Sequence, residues 1–387
     1  MHTSDWHLGK ILHAQSLLED QVHMLEQIKS VLADKRCDAL VIAGDIYDRA
    51  VPPKDAIECL NHNLSDIVIN MGIPVVMISG NHDAAERLGF GAQFMKHAGL
   101  HIMSNLQQIT TPVVLSKQGV EVAFYGIPYC DPHTVRSTFI EEERAQAIKT
   151  FDDAHTFLVE KIKAVMSPQQ HNVLLSHCFV QGGHTSDSER TLQVGGADQV
   201  SPVPCEAFDY VALGHLHKPQ YKGAPHVRYS GSPLKYSFSE VEQPKGVTMV
   251  TCRDDMNVPH SRCDFAHLDL PPRRDLRVVE GTLAQIMAQA STDLHTQDYL
   301  LARLTDTEAL IDPMQKLRQV YPNILHIERP QLSRTIENTA DRQAIKNEPE
   351  KLVGDFYAQI TDAPLSKAQA EIVKTTLNTL TSHTQGA

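Results

Sequence analysis

Along the first two hundred or so residues, short continuous apolar runs alternate with apolar positions at helical spacing. Leu17, Leu18, Val22, Leu25, Ile28 and Leu32 recur three and four apart, which places them on one face of a helix. Residues 39–43 and 74–79 are compact apolar runs, too short for helices, and they end in Gly-Asp and Gly-Asn-His-Asp. Each predicts a buried strand. A first short strand is expected near residues 1–4 and a helix over 54–71. Residues 120–126, 172–176 and 210–213 repeat the pattern of an apolar strand followed by a polar turn with His or Gly. Strands alternating with helices predict an α/β layered fold with helices packed on the sheets. Ligands in such folds bind at the carboxyl ends of strands. Here the runs at 39–43, 74–79, 172–176 and 210–213 lead directly into Asp, Asn or His.

Further strands and turns are expected over 226–270. The stretch LPPRRDL at 270–276 marks a boundary, since two prolines stop a regular element. A small α/β unit follows over 277–328, with strands at 276–279, 299–304 and 324–327 and helices near 283–290 and 314–321. Polar residues then run to 349 without periodicity. Two amphipathic helices close the chain. One covers 350–360, with Leu352, Val353, Phe356, Tyr357 and Ile360 on a face; the other starts at Ser366, an N-cap with Gln369 three positions on, and presents Ile372, Val373, Leu377 and Leu380. The expected organisation is a large domain over 1–270, a small domain over 271–330, a linker over 331–349 and C-terminal helices over 350–387.

Composition narrows the class. At 387 residues, with 42% hydrophobic and 21% charged residues, the chain reads as globular and larger than one small domain. No apolar run approaches the roughly 18–20 residues that span a bilayer, and the first residues, MHTSDWHLGK, lack the apolar core of a signal peptide. The expected location is the cytoplasm, with no membrane partner. Seven cysteines are scattered with no CxxC pair, which favours reduced, buried thiols over a disulfide framework or a structural zinc site. A net charge of −12 does not by itself favour nucleic acid. Local cations, bound metal ions or a basic partner can still bring a phosphate backbone to an acidic protein.

Five short blocks carry the chemistry: Asp5-Trp6-His7, Gly44-Asp45, Gly80-Asn81-His82-Asp83, His177 and Gly214-His215-Leu216-His217. Their mixed oxygen and nitrogen donors suit Mn²⁺, Fe²⁺ or Zn²⁺ better than Mg²⁺ or Ca²⁺. Residues i and i+2 leaving a strand point to one side, so Asp5 with His7, and His215 with His217, can each address one cluster. Gly44, Gly80 and Gly214 permit tight turns and close backbone approach. Any block alone reads as an ordinary turn, loop or hydrogen-bonded histidine. Five of them in order, each at a strand end, predict a metal centre.

That order, DxH, GD, GNHD, H and GHxH, resembles the calcineurin-like metallophosphoesterases. The segments HTSDWHLGK (2–10), GDIYDR (44–49), GNHDAAERLGFG (80–91), ALGHLHKPQ (212–220) and YSGSPLKYSFSE (229–240) narrow the resemblance to the SbcD nuclease-subunit family. It covers about residues 1–270, and more loosely the small 277–328 unit. The resemblance implies a four-layer α-β-β-α sandwich with a small α/β DNA-capping domain and C-terminal helices. It implies two divalent metal ions, expected to be Mn²⁺. Asp5, His7, Asp45 and His217 would hold one, and Asp45, Asn81, His177 and His215 the other, with Asp45 shared between two mutually repelling dications. His82 would position the scissile phosphate and protonate the leaving oxygen. It needs an acceptor to hold its charge, for which Asp48 is the first candidate and Asp83 the second.

The implied activity is cleavage of DNA ends and of single-stranded or hairpin DNA, in recombination and repair. The implied partner is an SbcC-like coiled-coil ATPase, docked by the C-terminal helices, and a homodimer is expected through helices flanking the 54–100 region. Lys10, Arg49, Lys54 and Arg87 lie next to metal blocks and are candidates to neutralise DNA phosphates. Arg273, Arg274, Arg277 and Arg303 are interleaved with acids and form no basic stripe. Residues 181–196 read as a mobile loop near the site. Two other readings compete: a metallophosphoesterase acting on a nucleotide or phosphoprotein, which needs no second domain with docking helices, and a non-catalytic DNA-end scaffold, which predicts a lost ligand. None is lost.

Overall fold

Strands form where the apolar runs predicted them, and most are buried on both faces. The computed structural model describes residues 1–189, 198–253, 263–330, 353–354, 357 and 364–384. One six-stranded sheet contains β1 (His2–Thr3), β2 (Leu40–Ala43), β3 (Val75–Ile78) and β4 (Leu100–Met103). A second contains β5 (Val113–Lys117), β6 (Val120–Ile127), β7 (His171–His177), β8 (Tyr210–Gly214), β9 (Gln220–Lys222) and β10 (Ala224–Tyr229). The chain then returns to the first sheet with β11 (Gly246–Cys252) and β12 (Cys263–Asp269). Strand orders are β12-β11-β1-β2-β3-β4 and β9-β10-β8-β7-β6-β5. The central strands β1 to β4 pair in parallel, as do β6, β7, β8 and β10. Parallel strands covered on both sides read as unbroken apolar runs, which is why LVIA and VVMI lack alternation.

Period-two alternation nonetheless assigns each side chain to a layer. Val41, Val76, Ile78, Phe124, Val173, Leu175, Tyr210 and Ala212 meet between the sheets. Leu40, Ile42, Val75 and Met77 face the other way, onto α1 (Leu18–Asp34) and α2 (Lys54–Ser65), whose Leu25, Ile28, Leu32, Leu60 and Leu64 complete that core. Beyond the second sheet, Leu174, Val211 and Leu213 pack with Phe157, Leu158 and Ile162 of α3 (Phe151–Lys163). The layers are therefore helix, sheet, sheet, helix, as the resemblance implied. The helix expected over 54–71 ends at Ser65 and continues as a π-helical turn, Asp66–Asn70.

Contacts divide the chain into two units: Met1–Val278 with Asp293–Leu301 and Tyr321–His326, and Val279–Thr292 with Ala302–Val320 and Ile327–Ala387. Strands β13 (Leu276–Gly281), β14 (Tyr299–Leu304) and β15 (Ile324–Glu328) form a three-stranded sheet in that order. Helices α4 (Leu283–Gln289) and α5 (Pro313–Arg318) fall where helices were expected. The expected linker at 331–349 and most of the expected helix at 350–360 lie outside the described residues. The last helix, α6 (Lys367–Thr384), is capped as its sequence predicts: the Gln369 amide N–H donates to Ser366 Oγ, and Gln369 Oε1 accepts from the Ser366 amide at 2.9 Å.

Candidate metal centre

Parallel order brings the carboxyl ends of β1, β2, β3, β7 and β8 to one edge of the sandwich, and all five sequence blocks emerge there. Asp5, His7, Asp45, His82, His177, His215 and His217 are all buried, and Asn81 is half-buried among them. Their approach to one another differs from the sequence expectation in its geometry. Asp5 (φ 54°), His7 (φ 44°), Asp45 (φ 49°) and His215 (φ 105°) have positive φ, so the blocks leave their strands in left-handed turns rather than as extended i, i+2 pairs. Four of the nine non-glycine residues with positive φ among those described are thus expected ligands. Such concentration of backbone strain is a mark of functional sites, at a cost on the order of 1–3 kcal/mol per residue.

Asp45 is the hub. Its Oδ2 lies 3.6 Å from His7 Nε2, 3.5 Å from His177 Nε2 and 3.9 Å from His82 Nε2. On one side, His7 Nε2 and His217 Nε2 are 3.1 Å apart, and Asp5 lies close enough to join them. On the other side, Asn81 Oδ1 is 3.0 Å from His177 Nε2 and 3.0 Å from His215 Nδ1. The residues of both donor groups that the resemblance implied thus lie about Asp45, and Asp5, Asp45 and His177 also sit close enough together to form a donor triad. Asp5 Oδ1 also accepts from the His215 amide at 3.0 Å.

The donor set fits a pair of cations. His177 Nδ1–H donates to the Ala43 carbonyl at 2.8 Å, which leaves the Nε2 lone pair facing the oxygens of Asp45 and Asn81. His217 Nδ1 is 3.2 Å from Glu240 Oε1 and 2.8 Å from Ser188 Oγ, so its Nε2 lone pair faces His7. Acceptors pointed at acceptors are stable only with positive charge between them. Ionisation shows the same demand. Burial alone would lower His177, but the Asp45 charge and hydrogen bond outweigh it and lift the ring to about 9. Burial would likewise raise Asp45, yet the facing imidazoles, His177 first, hold it well below the usual carboxylate range. Burial, followed by the His177 charge, pushes His215 down to about 3 and keeps it a neutral donor.

His82 stands slightly apart. Its Nδ1 lies 2.8 Å from the main-chain carbonyl of Asp48, an acceptor, so Nδ1 carries the proton and Nε2 faces the centre. The residue expected to support His82 is therefore in place, but through its backbone. The Asp48 carboxylate instead pairs with Lys10 Nζ at 2.9 Å and lies 3.7 Å from His7 Nδ1. Asp83, the second candidate, accepts from the amides of Ile46, Tyr47 and Gly80 at 3.1, 3.0 and 2.9 Å, which pins the Asp45 turn to the Asn81-His82 turn. His7, Asp45 and His82 also sit close enough together to form a donor triad.

Of the cations near the blocks, Lys10 is tied to Asp48, Lys54 forms a helical ion pair with Glu58 at 3.3 Å, and Arg87 donates to the Ala50 carbonyl at 2.8 Å. Arg49 is 62% exposed, with its Nε 3.6 Å from Asp48. Four arginines after residue 270 are paired with acids: Arg273 with Glu19, Arg274 with Glu19 and Asp20, Arg277 with Asp293 and Asp298, and Arg303 with Glu328.

Sequence reasoning missed the support behind His217. Glu240 is fully buried, and its second oxygen meets Lys245 Nζ at 2.5 Å. Lys245 also donates to the His217 carbonyl at 2.9 Å, and Glu189 accepts from the His217 amide at 2.6 Å. Gln21 on α1 donates to the His7 carbonyl at 2.7 Å. Glu240 closes the YSGSPLKYSFSE segment, but nothing in its spacing points to His217. Residues 181–189 of the expected loop supply Ser188 and Glu189; residues 190–196 lie outside the described chain.

Comparison with known proteins gives the family. Residues 1–219 match the family model described as calcineurin-like phosphoesterase, and residues 272–361 match the type 5 capsule protein repressor C-terminal domain. The chain is 36% identical over 374 residues to the SbcD subunit of the nuclease SbcCD from Staphylococcus epidermidis, covering 97% of this chain and 96% of that protein. A solved structure of a hypothetical protein from Thermus thermophilus matches at 12% identity over 56% of this chain and 71% of the other, with a TM-score of 0.30.

Proposed function

The chain belongs to the SbcD family of calcineurin-like phosphoesterases, and on that premise we propose that it is a two-metal DNA phosphodiesterase, the nuclease subunit of an ATPase-driven complex. The observation that carries the reading is the gathering of the other six expected donors around the buried Asp45: His7, His177 and Asp5 lie close to it, His217 adjoins His7, and Asn81 joins His177 to His215. Asp5, His7, Asp45 and His217 would hold one divalent ion, and Asp45, Asn81, His177 and His215 the other. When bound, the ions, for which the mixed donors favour Mn²⁺, supply Lewis-acid charge and an activated water for attack on phosphorus. Asp45 keeps its charge between the sites, and Glu240 fixes the ring and tautomer of His217. His82, with Nδ1–H committed to the Asp48 carbonyl, turns Nε2 toward the centre, the atom through which it would pass a proton to the leaving oxygen.

Arg49, the most weakly tethered cation at the rim, is the first candidate to meet the DNA backbone, with Lys54 and Arg87 beside it and Lys10 acting through Asp48. Residues 271–330 are proposed as the DNA-capping domain, 331–349 as a linker and 350–387 as helices that dock an SbcC-like coiled-coil ATPase. A homodimer is supported by exposed Ile69, Phe90 and Phe94 near an apolar groove of about 490 Å³ lined by Ile57, Leu60, Phe90 and Met95. No described helix is long and apolar enough to cross a membrane.

The decisive assay supplies Mn²⁺ and linear duplex DNA, hairpin DNA or small phosphodiesters, with and without the ATPase partner. Cleavage of DNA ends and hairpins with the partner present is expected. Hydrolysis of small diesters with no DNA cleavage in either condition would overturn the assignment in favour of another phosphoesterase.

A further inference from the structure

Strand β7 carries chemistry at both ends. His177 closes it at the metal centre, and His171 opens it about 20 Å away at the opposite edge of the sandwich. His171 is 1% exposed, and neither ring nitrogen has a hydrogen-bond partner among the described residues. An imidazole owns one donor and one acceptor, and burying both bare is unfavourable unless something else meets them. Cys252 and Cys263 supply that something. They stand directly opposite each other on β11 and β12 of the other sheet, with their sulfurs 2.8 Å apart. One nitrogen of His171 and both sulfurs lie within 4.8 Å of one another.

We propose that His171, Cys252 and Cys263 form a metal site separate from the catalytic pair, a set of one imidazole and two thiolates for a thiophilic divalent cation such as zinc, with one position left for water. Zinc binds thiolate sulfur at about 2.3 Å and imidazole nitrogen at about 2.0–2.1 Å, and a tetrahedral ion spreads two sulfurs to roughly 3.7 Å. The sulfur pair thus opens by about 1 Å on binding, which side-chain rotation supplies. A disulfide between the same cysteines would consume both thiols and leave His171 bare; a cation meets all three groups. Both thiols lose their protons as the ion enters, and the two thiolates offset its charge. Donor softness keeps the centres distinct. The catalytic set contains Asp, Asn and His but no sulfur, whereas this set takes two of its three donors from cysteine. A bound ion would tie β11 and β12 of the first sheet to β7 of the second, at the edge remote from catalysis.

Cobalt reads this site selectively, because thiolate-to-cobalt charge-transfer absorption requires cysteine ligation and the catalytic centre has none. Reduced full-length protein, with Mn²⁺ in excess, is titrated with Co²⁺. One equivalent should develop the band, and two thiols should become protected from alkylation. The Cys252→Ser/Cys263→Ser protein should lose both signals while Mn²⁺-dependent diester hydrolysis stays within a few-fold of the parent. His171→Ala should weaken Co²⁺ binding by tenfold or more. Absence of the band in the parent protein, or its survival in the double serine variant, overturns the proposal. Should the variants fold poorly, alkylation of the parent protein with and without Zn²⁺, mapped by peptide mass, decides: protection of Cys252 and Cys263 upholds the site, and equal labelling refutes it.

Discussion

Replacing Gly214 by alanine would place a Cβ 1.9 Å from the Ala43 carbonyl oxygen and 2.8 Å from His177 Nδ1. Ordinary contact begins beyond 3 Å, so β8 and the end of β2 must separate by more than an ångström. Ala43 is two residues before Asp45, and its carbonyl holds His177 Nδ1 at 2.8 Å. One methyl group therefore displaces both the hub carboxylate and a ligand of the second ion. Misplacement by about 1 Å can cost roughly 10²-fold in rate, equivalent to about 2.7 kcal/mol of activation free energy. We expect Gly214→Ala to lose at least that in Mn²⁺-dependent hydrolysis of a chromogenic phosphodiester, and to bind Mn²⁺ more weakly by electron paramagnetic resonance. Gly119→Ala is the matched control. Its φ is +87° and nothing lies within 4 Å of the new Cβ, so it should lower stability by about 1–2 kcal/mol through backbone strain alone and leave hydrolysis intact. If Gly214→Ala retained activity and Mn²⁺ affinity within a few-fold of the parent, close approach of the strand ends would not be what builds the centre.

Three further perturbations probe the site and its surroundings. His82→Ala should retain both metal ions by equilibrium dialysis yet lose about 10²- to 10⁴-fold in cleavage rate; loss of an ion would make His82 a ligand instead. Glu240→Gln keeps the shape beside His217 but removes the charge, and should lower metal affinity or activity by about 10- to 100-fold, so an unchanged Mn²⁺ titration would exclude the orienting role. Burial pushes His155 down to about 4 from an ordinary 6.5, with its Nε2 2.9 Å from Ser176 Oγ. Because the folded value lies below the unfolded one, stability from the neutral ring is complete above about pH 6.5 and is lost as the pH falls toward 4, by about 3 kcal/mol. Denaturant midpoints of chelator-treated protein should therefore fall less steeply with acid in His155→Gln than in the parent, and parallel curves would refute that account.

The layered α/β class and the main strands were legible because each depends on neighbours along the chain. Apolar runs such as Leu40–Ala43 and Val75–Ile78 are continuous because parallel strands are covered on both faces, and a polar residue ending such a run declares the functional edge. Local pattern also sufficed for the reciprocal Ser366 and Gln369 cap. It failed where backbone and partner were decided by distant chain. Left-handed turns at Asp5, His7, Asp45 and His215 fall on residue types that tolerate positive φ, but most of the described aspartates and histidines do not adopt it, so residue type alone did not single these four out. Asp48 was identified as the support for His82, but that the contact runs through its carbonyl depends on how the turn is pinned by Asp83.

What the sequence determined by itself is which polar groups end the buried strands and the edge from which they emerge, because side-chain chemistry and strand periodicity are local properties. Only the tertiary structure decided which of them meet. Strand order sets Asp5 beside His215 across 210 positions and Glu240 behind His217. The same order gathers scattered cysteines, with no CxxC between them, around a buried histidine from the facing sheet. Contacts of that kind are fixed by how two sheets stack, and a one-dimensional spacing rule carries no information about the distance between sheets.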